Sequence, residues 1–311
     1  MEQDWSGRGQ HAEFEAEERD SIDAILKVRD TLGTYTIRNE LSILIFPVAE
    51  CDLEHFLNEK VQPNCIGDPS YHETFSSLTQ FPICLINAIA YIHANMTKHM
   101  DIKPRNLLVR YMRRKSEDDL VLARYKIYIA DFGIARSYKS IEATETEGPT
   151  SFTRKYAAPE VVDREKRGLS ADVFSLGCVF TEIFASMVGH IETKEEYRMP
   201  EKRKRSAQNP LERLRTSLCD NEVGDASYQA NLPTMNGYFR ELRLQYDLDI
   251  LRFNRKFSSG LRYAEFLDLV QQMISKEPAQ RPSATDLAFR LGSAWCCEPF
   301  SDPLEAEEKR A

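Results

Sequence analysis

Asp101, Lys103 and Asn106 lie on one short polar run, His99-Met100-Asp101-Ile102-Lys103-Pro104-Arg105-Asn106. The lysine follows the acid by two positions and the asparagine by five, so one loop presents a carboxylate, an ammonium and an amide. A second acid opens Asp131-Phe132-Gly133 at the end of a strand-like stretch. Asn106 and Asp131 offer hard oxygen ligands, the kind Mg2+ prefers. Each residue alone has a plain explanation, because aspartate and asparagine are common in turns. The joint spacing Asp-x-Lys-Pro-x-Asn, followed by Asp-Phe-Gly, is hard to explain as turn chemistry.

The stretches around these residues define the elements that must hold them. Leu78, Phe81, Leu85, Ile86, Ile89 and Ile92 recur at helical period, which predicts a buried helix to Ala94 that delivers His99 and its loop. Tyr125 to Ile129 alternates as a strand and runs into Ala130-Asp131. Between them, Arg110 to Ala123 reads as an insertion whose mixed charge suits a solvated loop. Asp172 opens a strongly apolar helix, Val173 to Phe180, and Tyr263 to Ile274 is amphipathic. Upstream, Phe14 to Arg29 is rich in helix formers. Thr34–Ile37 and Leu41–Phe46 read as strands about the turn Arg38-Asn39-Glu40, and Leu53–Asn58 as a short helix before a loop to Tyr71.

Composition sets outer bounds. The 311 residues, 42% hydrophobic and 29% charged, suit one large or two small globular domains with a sizeable core. A formal net charge of -8 argues against a nucleic-acid partner. Seven cysteines without a CxxC pair point to reduced thiols in a cytosolic or nuclear protein. No run of about 18 consecutive apolar residues exists and the first residues lack signal-peptide character, so the expectation is an intracellular protein with no membrane partner. Gly7-Arg8-Gly9 lacks the flanking strands of a phosphate loop and reads as part of a disordered start. Lys202-Arg203-Lys204-Arg205 reads as a solvated turn ahead of a nuclear signal.

The loop at 99–106, Asp131-Phe132-Gly133 and Ala158-Pro159-Glu160, in this order, resemble the catalytic loop, metal loop and activation-segment end of eukaryotic protein kinases. Lys103 and Thr153-Arg154-Lys155-Tyr156 resemble the serine/threonine branch. The resemblance covers roughly residues 14–295 and implies an α+β, two-lobe fold with a truncated small β lobe and a large, mainly helical lobe. It implies ATP and Mg2+ as cofactors and a protein Ser/Thr hydroxyl as substrate. Asp101 would accept the hydroxyl proton and Lys103 would steady the transferred phosphate, while Asn106 and Asp131 would hold the metal. With Phe46 as gatekeeper, Pro47 falls where adenine needs only a carbonyl, Ala49 keeps the required N–H, and Asp52 could reach the ribose. His99 would pack under the metal loop with Phe132 and Gly133, and Thr153 would reach Asp101 and Lys103. Asp172 would cap the catalytic-loop backbone, and Arg281 would pair with Glu160. Glu18 fits the glutamate of the first kinase helix best, with Glu15 and Glu17 as rivals.

Two departures stand out. No lysine precedes Lys27 and no glycine-rich loop is readable, so the nucleotide-contacting lysine strand is missing from this sequence. Met100 stands where many kinases carry the arginine that grips a phosphorylated activation loop, and a thioether cannot pair with phosphate. The implied organisation is a disordered start at 1–13, a small-lobe remnant at 14–50, and a large lobe at 51–295. That lobe carries insertions near 110–124 and 189–232, and an acidic tail follows at 296–311. The function implied is a serine/threonine kinase acting on protein, expected as a monomer. The alternative is a pseudokinase or truncated kinase fold serving as a protein-binding module. A lipid or metabolic phosphotransferase suits the Thr-x-x-Tyr-x-Ala-Pro-Glu segment less well.

Overall fold

An apolar run too long for one buried face must be surrounded on all sides, and helix α4, Ser170–Arg198, meets that requirement. Val173, Phe174, Leu176, Val179, Phe180, Ile183 and Phe184 are all buried along it. The computed structural model describes residues 31–37, 40–45, 48–61, 70–112, 124–147, 152–198, 209–250 and 263–292. Glu18, Phe46 and Pro47 lie outside them, as do the proposed start at 1–13, the tail at 296–311 and most of the charged insertion.

Around α4 pack α2 (Ser70–Ala94), α5 (Pro210–Cys219) and α7 (Tyr263–Met273). All six apolar positions read from the period of α2 are buried. The helix starts earlier than its apolar pattern, at Ser70, and carries Pro82 within it. α2 also packs on α8 (Ala284–Leu291), whose start is fixed by a capping box between Ser283 and Asp286. The shorter helices α1 (Leu53–His55), which runs into a π turn at Phe56–Lys60, and α3 (Pro159–Val162) belong to the loops near the site. Helix α6 spans Leu232–Ile250.

Among the described residues the strands fall into three small sheets. β1 (Thr31–Ile37) and β2 (Glu40–Ile45) form an antiparallel pair with a register shift near Gly33. β4 (Thr97–Lys98) pairs with β7 (Arg136–Ser137). The third sheet has the order β3-β5-β6, from Cys51–Asp52, Leu107–Tyr111 and Tyr125–Ile129.

Three sequence expectations need correction. Arg110 is part of β5, opposite Lys126, so the charged loop begins later than composition suggested. The polar stretch 189–232 is in part core: α4 extends into it as far as Arg198, and Leu211, Leu214 and Leu218 of α5 are buried, with Tyr228 and Asn231. Its apolar residues are few but fall at helical spacing, so average polarity concealed a packing face. Cys84 is disulfide-bonded, whereas Cys51, Cys178 and Cys219 are free thiols, so the cysteines are not uniformly reduced. Segments in α2 (His72–Ala94) and α4 (Ser170–Gly189) have spanning length and apolarity, although no run is uninterrupted. Both face the protein core, α4 the more completely.

Candidate active site

The β3-β5-β6 sheet decides where the chemistry gathers. Strand β5 leaves directly from Asn106, and β6 pairs with it so that Ile129 opposes Leu107. The Ala130 N–H then donates to the Asn106 carbonyl at 2.9 Å. On the other side, Asp52 opposes Leu108. Antiparallel pairing thus brings the start of α1, the end of the catalytic-type loop and Asp131 to one end of the sheet. Residues far apart in sequence share a site because two ladders end together.

On that end, Asp101 is the hub. Its Oδ1 accepts from the Thr153 hydroxyl at 2.7 Å, and its Oδ2 accepts from Lys103 Nζ at 2.6 Å and Asn106 Nδ2 at 3.0 Å. Lys103 Nζ also donates to Thr153 Oγ1 at 2.9 Å. Burial pushes the Asp101 carboxyl up, but Lys103, Thr153 and Asn106 together hold it below its ordinary value. Asp101 is therefore a carboxylate at neutral pH. Asn106 Nδ2 reaches both the carbonyl and the carboxylate of Asp101, which only accept, and this fixes the orientation of the amide. Among the described residues, Asn106 Oδ1 takes no hydrogen bond. Asp131 is exposed at φ 59°, and among the described residues its one hydrogen bond is a 3.3 Å contact from Gly133 N–H to Oδ1. Non-glycine residues in that region cluster at functional sites. Two hard oxygens with spare lone pairs fit a magnesium ion.

Beneath the loop, Asp172 of α4 holds the backbone. Its Oδ2 accepts from His99 N at 2.9 Å and faces His93 Nε2 at 3.0 Å, and its Oδ1 accepts from Met100 N at 2.8 Å. Those bonds stabilise the left-handed turn at Met100, φ 69°. Burial pushes the Asp172 carboxyl up and hydrogen bonds from His93 and His99 more than reverse it. His99 is fully enclosed, and burial pushes its pKa down. Its neighbours also assign the tautomer. The Ala130 carbonyl, at 2.9 Å from Nε2, can only accept, and the Asp101 N–H, at 3.3 Å from Nδ1, can only donate. His99 is thus neutral and protonated on Nε2. The buried Phe132 ring lies against it with centroids 4.8 Å apart.

Residues 11–290 match the protein kinase domain family. The chain belongs to the protein kinase family. Its fold is accordingly the α+β kinase fold, with a small sheet-bearing lobe and a larger helical one. A calcium/calmodulin-dependent protein kinase of Metarhizium anisopliae is 39% identical over 95 residues, 30% of this chain and 22% of the relative. Cyclin-dependent kinase 4 of Mus musculus is 30% identical over 162 residues, 51% of this chain and 46% of the relative. Cyclin-dependent kinase 2 of Caenorhabditis elegans is 31% identical over 154 residues, 49% of this chain and 36% of the relative. The aligned part of this kinase spans less than half the length of each of these relatives.

The other kinase positions fall as follows. Glu160 and Arg281 form a buried two-point ion pair at 2.6 and 2.8 Å. Ala49 lies just ahead of β3, where Glu50 N donates to the Val109 carbonyl at 3.1 Å. Asp52 caps α1 through Oδ1, which accepts from His55 N at 2.8 Å, and its second oxygen has no partner among the described residues. Sequence reasoning missed two residues of this kinase. His93 ends α2 and shares Asp172 with the loop, while Lys98 is buried under the activation segment. Neither residue type carries a signal of its own at that spacing; only the crossing of α4 beneath the loop reveals them.

Proposed function

We propose that the chain is a protein serine/threonine kinase that transfers the ATP γ-phosphate to a Ser or Thr hydroxyl of a protein. The triangle of Asp101, Lys103 and Thr153 carries this reading. A hydroxyl from the activation segment seated on the acid, with the lysine bridging both, is the arrangement that positions a peptide hydroxyl at the same carboxylate. Asp101 takes the proton from the substrate oxygen as that oxygen bonds to the γ-phosphorus, and the bond to the bridging oxygen breaks to release ADP. Lys103 stabilises the charge that develops on the phosphoryl oxygens. Asn106 Oδ1 and Asp131 would hold Mg2+, which supplies charge neutralisation at the phosphates when bound. In this scheme the Ala49 N–H would serve the adenine and the second Asp52 oxygen the ribose. The setting is intracellular, where ATP is found.

A second reading is a kinase fold that binds partners without turnover. Thermal shift with ATP, with and without Mg2+, separates the two. The enzyme reading expects a Mg2+-dependent stabilisation and phosphate transfer to a Ser/Thr peptide. Asp101→Asn should reduce transfer by about 10²–10⁴-fold while keeping the nucleotide shift. No shift under either condition rejects the enzyme in favour of the binding module.

A further inference from the structure

Lys98 takes no part in the proposed transfer, yet its side chain is 2% exposed. Its Nζ donates to the Thr144 carbonyl at 2.6 Å, to Thr146 Oγ1 at 2.9 Å and to the Arg167 carbonyl at 3.4 Å. An ammonium has three N–H donors, and here three oxygens receive them, none a carboxylate. The Tyr138 ring centroid, 4.8 Å away, covers the charge further. Directly above, Thr146 and Arg167 exchange both backbone hydrogen bonds at 3.0 Å, an isolated antiparallel bridge between the activation segment and the stretch just before α4.

A buried cation without acceptors is costly, so Lys98 favours the backbone arrangement in which all three oxygens converge. That arrangement is the docked activation segment. Lys98, Met100, Thr153 and Arg167 line one cavity, which places the fastening and the catalytic triangle around a common space. We propose that Lys98 is a positioning residue: a phosphate-independent latch that fastens the activation segment and thereby holds Thr153 on Asp101. The latch explains how the segment docks although Met100 offers no group to grip a phosphate. It rests on the kinase reading for its effect on turnover, but not for its effect on the segment.

Lys98→Met keeps the stem and removes the charge. Hydrogen–deuterium exchange on the full chain should show amides of Thr146 and Arg167 exchanging about tenfold faster or more, with the β5–β6 amides unchanged. The kcat/KM for a Ser/Thr peptide should fall about tenfold while the KM for ATP stays put. Unchanged protection at 144–146 and 167 overturns the latch, and so does a loss of protection spread evenly over the molecule. If Lys98→Met does not fold, Thr146→Val removes one acceptor from a half-buried position and must loosen the same amides; no loosening rejects the proposal. A wild-type chain that phosphorylates nothing removes the kinase reading, while the exchange comparison still decides the latch.

Discussion

Lys98 and His99 are consecutive, both buried, and their charges are handled in opposite ways. His99 is kept neutral by enclosure and by one-way hydrogen-bond partners at each ring nitrogen. Lys98 keeps its proton at neutral pH, but burial lowers its pKa to about 8, with Asp172 raising it and Arg167 and Arg136 lowering it further. An unfolded lysine holds its proton to about pH 10.5. Between those values the unfolded chain binds more protons than the folded one, so stability climbs as pH rises through that window. Relative to Lys98→Met, the wild-type chain should gain about 3 kcal/mol between pH 8 and 10.5, read from urea unfolding at fixed pH points. A flat difference across that range contradicts the burial of this charge.

At the scale of elements, the site depends on how closely α4 approaches α7. A Cβ built on Gly177 would lie 2.8 Å from both Met273 Cβ and Ile274 Cγ2. These are not the ends of long flexible side chains, so the neighbouring segment must shift to admit them. Gly177→Ala gains about 1 kcal/mol of helix propensity, yet overpacking costs about 1–3 kcal/mol. The expected result is a lower thermal midpoint for the variant; a higher one means that the helices are farther apart than described. The apolar run of α4 was legible in the sequence, because Val173 to Phe180 cannot face water. The burial of α5 was not, since Leu211, Leu214 and Leu218 are diluted among charges.

Across the whole molecule, Arg281 ties the end of the activation segment to the far side of the helical lobe. All five of its N–H donors are used: two on Glu160, and one each on the carbonyls of Ser275, Ser170 and Lys276. Its side chain is fully buried and lies over the Phe174 ring. Removing one partner of such a pair leaves a buried charge unmatched, so Arg281→Met should cost about 3–5 kcal/mol of unfolding free energy. Adding Glu160→Leu should return part of that loss, because the stranded carboxylate goes with it. A single variant as stable as the wild type would mean that water reaches Glu160.

Local sequence determined which chemistry-bearing groups one loop can present together. Asp101, Lys103, Asn106 and Asp131 announce themselves through spacing, because a loop of fixed length can present only certain groups together. The period of α2 likewise announces a helix, since burial of Leu78 through Ile92 demands one face. The tertiary structure alone decided what those residues touch. Asp172 meets His93 and the 99–100 backbone because α4 crosses beneath the loop, and Lys98 finds its acceptors only where residues 144–146 fold back over β4. Residue type and spacing are local properties of a chain, whereas the cost of burying a charge depends on which distant oxygens packing brings within reach.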